Sequence, residues 1–141
     1  MRFLAPLALI ASMLAIAVAP AGATSGITWF KTPSKNIYCA WFHDGSSKPF
    51  LRCDVSQLSH PAPKPRGCQF DWGRSFGMTE SGKASALCVS DSVHDKRAKT
   101  LAYGKTRKFG SFTCASKTSG LRCSNRSGHG FVLNRDRYKL F

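Results

Sequence analysis

The chain has 141 residues and a formal net charge of +14, with 21 Lys and Arg against 7 Asp and Glu. That length excludes a multidomain protein and a cofactor-sized enzyme of the doubly wound type. Beyond residue 23, Leu, Ile, Val and Phe make up only 22 of 118 residues, a proportion that at this charge belongs to disordered chains unless cross-links order them.

Residues 1–23 read as a signal peptide. Met1-Arg2 is a short basic start, 7–19 is a nearly uninterrupted apolar run, and Ala21-Gly22-Ala23 has the small-x-small pattern of a cleavage site. As a membrane anchor the run is short, and it lacks a basic flank after it. Its removal takes away only Arg2 among the charges, leaving 118 residues at +13. Nothing later in the chain is apolar enough to span a bilayer. The expectation is a soluble protein, secreted or held at the cell envelope.

From there the elements are short. Strands are predicted over Ile37–Phe42, Phe50–Val55, 86–93 and 109–115, each bounded by Gly, Pro, Ser or Asp. A Gly- and Ser-rich turn from His43 to Pro49 joins the first two. Alternate prolines make 60–66 an extended connector. One or two helical turns are predicted over 95–102, with Asp95 as cap and Ala98, Leu101 and Ala102 inward. The final stretch, 131–141, begins as a strand and either stays extended or ends in a helical turn started by Asn134. The predicted fold is all-β: a small single domain, 24–141, of disulfide-stapled hairpins with little helix.

All six cysteines, Cys39, Cys53, Cys68, Cys88, Cys114 and Cys123, lie in the exported part. An even count in a small exported chain reads as disulfides, and no close Cys-x-x-Cys pair favours a metal. An internal echo selects among the 15 pairings that six cysteines allow. Cys39-Ala40 is followed by Leu51-Arg52-Cys53, and Cys114-Ala115 by Leu121-Arg122-Cys123. Folding each segment as a hairpin with its cysteines opposed sets Ala40 against Arg52 and Ala115 against Arg122. Opposed strand positions lie about 4.5–5.5 Å apart, within disulfide reach. The turn Lys117-Thr118-Ser119-Gly120 fits the second hairpin. Cys68 and Cys88 are left for each other, around a turn near Glu80-Ser81-Gly82.

Several motifs share one order along the chain. Phe30-Lys31-Thr32-Pro33-Ser34, Asn36-Ile37 and Cys39 open it; Arg52-Cys53-Asp54, Cys68, Asp71-Trp72-Gly73, Cys88, Tyr103-Gly104 and Cys114 follow; Gly120-Leu121, Cys123, Asn125 and Gly128-His129-Gly130-Phe131 close it. The set resembles an uncharacterised family of small exported bacterial proteins, a domain of unknown function. Lys35 and Ser90 stand where that family leads us to expect glycine. The resemblance implies an exported single domain and supplies neither catalytic residues nor a ligand.

The charge is uneven: residues 24–93 carry +3 and residues 94–141 carry +10. Lys105, Arg107 and Lys108 belong to one cluster, and Arg135, Arg137 and Lys139 to another. If 131–139 stays extended, alternation sets the last three on one face about 6.7 Å apart, a spacing that suits a repeating polyanion. Phe109, Phe131 and Tyr138 are the aromatics expected nearby for stacking. His129, between two glycines, is the candidate titratable residue, although it reads as part of a tight turn before it reads as a ligand contact. Asp71-Trp72-Gly73 reads as a packed tryptophan at a strand end before it reads as a sugar-stacking platform. Asp54 and Asp91 are expected to cap turns or to pair with arginine.

The functional expectation is a non-catalytic, basic binding module that contacts an anionic envelope polymer or an acidic protein surface, with no cofactor, no metal and no specific nucleic-acid partner. One alternative is a small secreted hydrolase of nuclease type, drawing on Glu80, His94, Arg107 and His129. Another is an inhibitor that presents the Lys117-Thr118-Ser119-Gly120 tip to a partner enzyme.

Overall fold

The computed structural model describes residues 26–141, so the signal-peptide assignment lies outside the described residues. Within them the chain is all-β and forms two sheets. In the first, β1 (Ile27–Lys31), β2 (Ile37–Phe42), β3 (Phe50–Val55), β4 (Ser75–Thr79) and β5 (Ser85–Ala86) form an antiparallel meander. Strand β6 (Lys99–Thr100) then adds to β1 in parallel. The second sheet is an antiparallel meander of β7 (Thr106–Phe109), β8 (Phe112–Lys117), β9 (Gly120–Ser124), β10 (Gly130–Leu133) and β11 (Tyr138–Leu140).

Alternate residues of the longer strands point into one core shared by the two sheets. Phe30 stacks on Phe109 at 4.3 Å between ring centroids, and Phe76 on Tyr138 at 4.8 Å, so aromatic pairs join sheet to sheet. These contacts compensate for the scarcity of aliphatic side chains, because each ring buries a large apolar area.

The three disulfides pair sequentially: Cys39–Cys53, Cys68–Cys88 and Cys114–Cys123. In both outer cases the cysteines are directly opposed, with Cα atoms 4.0 and 4.1 Å apart. Ala40 faces Arg52 and Ala115 faces Arg122, the register that the internal echo predicts. The two hairpins are thus copies of one pattern, with cysteines inward and arginine outward, one in each sheet.

Four predicted elements are corrected. Residues 95–102 form no helix. Asp95 caps a single turn, accepting from the Arg97 amide at 2.7 Å, and the chain then extends as β6. The Leu101 amide donates to the Lys31 carbonyl and Lys31 Nζ to the Ala98 carbonyl, both at 2.8 Å. Pairing with β1 wins over two isolated helical turns, which cannot recover the cost of nucleation. Ala98 and Leu101 are buried as expected, whereas Ala102 is exposed.

The strand predicted over 86–93 is a strand only at its start. Its remainder is a strap over the outer face of the first sheet, held by one bridge from Asp71 to Val89 and by Arg52. The run 109–115 is split by Gly110, whose positive φ of 57° turns the chain between β7 and β8. Residues 131–141 neither stay extended nor become helical. The Asn134 side-chain oxygen accepts from the amides of Asp136 and Arg137, and this Asx turn folds β11 back on β10.

Lys35 has a φ of 56°, a non-glycine residue in the left-handed region. The expectation of glycine there is thereby given a physical basis, since a Cβ in that conformation costs about 1 kcal/mol or more. Lys35→Gly is expected to stabilise the fold by up to about 1 kcal/mol, read as a higher urea midpoint; a lower midpoint would show that no strain is stored at this turn.

Candidate functional site

Directly opposed residues of a sheet share a face, so the register of the second sheet maps its surface. Thr106, Ala115, Arg122, Val132 and Lys139 form one row across all five strands. Lys108, Thr113, Ser124 and Gly130 form the row beside it, and Lys117 opposite Gly120 begins a third. Most of the complementary set, from Phe109 and Phe112 to Phe131 and Leu133, is buried in the core, with Arg107 and Leu140 exposed at the two edge strands. The outer face therefore carries four cations: Lys108, Lys117, Arg122 and Lys139. No Asp or Glu occurs anywhere from residue 96 to residue 135, so nothing on these strands neutralises them.

Arg122 packs on an aromatic ring. Its guanidinium lies 3.9 Å from the centroid of the Phe141 ring. Phe141 is itself pinned, exchanging backbone hydrogen bonds of 2.8 and 3.0 Å with Gly130. A Cβ at Gly130 would collide with the Cys123 carbonyl and with that ring, so glycine lets the aromatic side chain lie across the sheet. A guanidinium flat on an aromatic ring keeps its in-plane N–H groups free for an anion.

The predicted binding residues divide. Lys108 and Lys139 lie on this face. Lys105 and Arg107 are exposed on the opposite side of edge strand β7, with the Arg107 guanidinium 4.8 Å from the Phe109 ring centroid. Arg135 and Arg137 fall in the Asx turn, where the chain reverses before β11 begins, and form no row with Lys139. Arg137 is already compensated: its Nε lies 2.7 Å from the Asp136 carboxylate, and that hydrogen bond holds Asp136 below the ordinary carboxylate range. His129 closes a tight turn through its backbone, which exchanges hydrogen bonds with Asn125, and Gly128 supplies a positive φ of 79°. The expected stacking aromatics are spent elsewhere. Phe109 and Phe131 are buried, and Tyr138 packs on Phe76.

Arg122, Lys117 and Phe141 are absent from the predicted binding set. A signal for Arg122 was present in the echo, since opposed inward cysteines force the arginine beside each onto the outer face.

The four residues considered for hydrolysis do not converge. His94 stacks on Tyr38 on the outer face of the first sheet, at 3.8 Å between centroids, while Arg107 lies on β7 of the second. Glu80 accepts from the Ser111 hydroxyl at 2.7 Å, and the cleft lined by His94 contains none of the other three.

Among the described residues no helix is long and apolar enough to cross a membrane. No curated protein and no solved structure matches the chain. A family model matches residues 8–141, nearly the whole sequence. The chain belongs to that family, a family of unknown function (DUF6636).

Proposed function

We propose that the protein is an exported, disulfide-stapled binding module that holds an anionic envelope polymer on the outer face of the β7–β11 sheet. The observation that carries this reading is a five-stranded face with four outward cations and no Asp or Glu side chain. Strand spacing sets neighbouring rows of cations about 5–10 Å apart, which matches the charge repeat of a polymer better than a single small anion. Export is supported by the apolar run and cleavage pattern of residues 1–23 and by three disulfides, which persist in oxidising compartments.

The test is binding of poly(glycerol phosphate) and polyglutamate by the oxidised protein across a salt series. Replacing Lys108, Lys117, Arg122 and Lys139 together by alanine is expected to weaken binding at least tenfold at about 0.15 M salt and to flatten its salt dependence. Replacing Arg135 and Arg137 is expected to change it less than threefold. Equal loss from both sets would reduce the attraction to net charge alone, and an unchanged four-residue variant would rule this face out.

A further inference from the structure

On the opposite side of the molecule, the outer face of the first sheet opens into a cleft of about 280 Å³. Its floor is one cross-strand row, Tyr38, Asp54 and Ser75, on β2, β3 and β4. One wall is Asp71, Trp72 and Arg74; the other is the strap from Val89 to His94. The walls are tied together at their base by the Asp71–Val89 bridge and by the Cys68–Cys88 disulfide. Gly73, at a φ of 89°, packs so closely on the Ala62 backbone that a Cβ there would clash, which fixes the turn carrying Trp72. The cleft is built before any ligand arrives.

Its chemistry is unlike the rest of this basic surface, for it gathers three of the seven carboxylates of the chain, Asp54, Asp71 and Asp91. Asp54 is fully engaged, by Arg52 and by the Val93 amide. Asp91 gives Arg52 only one carboxylate oxygen, so its other oxygen and the exposed Asp71 carboxylate face solvent as acceptors. Arg74 commits one nitrogen to the Ser56 carbonyl at 2.9 Å and keeps its other N–H groups as donors. Flat surfaces stand beside them: the His94 ring stacked on Tyr38, and the half-buried Trp72 indole. The Trp72 N–H, shielded from solvent, has no acceptor among the described residues.

Carboxylates that outnumber the free cation disfavour phosphate or a uronic acid. An ammonium group offers only donors and would leave Arg74 unanswered. A sugar hydroxyl both donates and accepts, and the C–H face of a pyranose covers an aromatic ring, so that one ligand class satisfies every group in the cleft. We propose that this cleft binds a neutral sugar ring between Trp72 and the Tyr38–His94 stack, with Asp71, Asp91 and Arg74 reading its hydroxyls. This site does not depend on the cationic face, and the two stand or fall separately.

The experiment is a titration of the oxidised, isotope-labelled protein with glucose, mannose, galactose and N-acetylglucosamine, followed by amide and indole N–H shifts. Trp72→Phe identifies the Trp72 indole signal among the three tryptophans. At least one sugar is expected to give saturable shifts at Trp72, Arg74 and residues 91–94. Affinity is expected to fall at least tenfold in Asp71→Asn, whose exposed side chain lets the fold survive, and to stay unchanged when the four outer cations of the β7–β11 sheet are replaced. Glucuronate or glucosamine saturating the cleft at lower concentration than any neutral sugar would overturn the assignment. So would the absence of saturable shifts across the panel, or shifts that Asp71→Asn and Arg74→Ala leave intact.

Discussion

Reduction of the three disulfides is expected to unfold this protein at room temperature, with far-UV and near-UV circular dichroism lost together. Four of the eighteen residues of the main core are half-cystines, Cys39, Cys53, Cys114 and Cys123, each fully buried. The bridges therefore act as packing as well as cross-links. Sequence separations of 14, 20 and 9 put the chain-entropy contribution of each bridge at roughly 3 kcal/mol, on the order of 9 kcal/mol together. That sum is comparable to the whole stability of a typical domain, about 5–15 kcal/mol. Self-repulsion among the many cations acts in the same direction. The bridges should not fail at once. Cys88 is exposed whereas the other two pairs are buried, so Cys68–Cys88 is expected to be reduced first, loosening the strap while both sheets persist. Replacing Cys68 and Cys88 by serine should leave a folded protein with a lower melting point. A fully reduced protein that kept its oxidised spectrum would show that the aromatic core is sufficient by itself.

What the sequence discloses and what it conceals follow from the range of the interactions. The two echo hairpins were legible because both halves of each cross-strand pair are written within a few residues of one another, so Cys39 opposite Cys53 also fixes Ala40 opposite Arg52. Strands β1 and β4 carry no cysteine-marked pair, and β6 has no partner nearby in the chain. Gly77 in β4 looks like a breaker, yet its missing Cβ makes room for the Phe50 ring and for Leu87. Strand β6 is a strand only because β1 lies beside it. The candidate face was half legible for the same reason. Residue type alone identified Lys108 and Lys139, but the Asn134 turn that removes Arg135 and Arg137 from the row acts through one side-chain oxygen. Of the cleft, only the Trp72 wall was legible, as the second reading of Asp71-Trp72-Gly73. The rest was concealed, since positions 38, 54, 74 and 91 meet there only through a sheet and a disulfide.

Arg52→Ala and Arg122→Ala are expected to have opposite consequences although the two arginines occupy the same position of the repeated hairpin. The Arg52 side chain is 7% exposed, on a sheet face covered by the protein's own strap. It donates to both oxygens of Asp54 at 2.9 and 3.0 Å, to Asp91 Oδ1 at 2.7 Å and to the Asp91 carbonyl at 2.7 Å. Removing it leaves the Asp54 carboxylate, itself only 15% exposed, without its cation, and releases the strap. The expected loss is about 3 kcal/mol or more. Arg122 has no carboxylate and no covering segment. Its truncation forfeits a stacking contact worth under about 1 kcal/mol, together with affinity for the anionic polymer. Acid separates the two sites further. The hydrogen bond from Arg52, and then its charge, hold the Asp91 carboxyl below its usual value of 3.8. A carboxylate depressed in the folded state contributes stability that is present above the unfolded value and is lost as pH falls through the folded one. Stability of the intact protein should accordingly hold from pH 7 to about 5 and decline below about 4, with Arg52→Ala showing a shallower decline. Equal destabilisation by the two alanines would mean that the strap adds nothing to Arg52. A neutral Arg52→Ala would mean that the pair does not hold the strap in place, and the cleft above it would then lose its preformed wall.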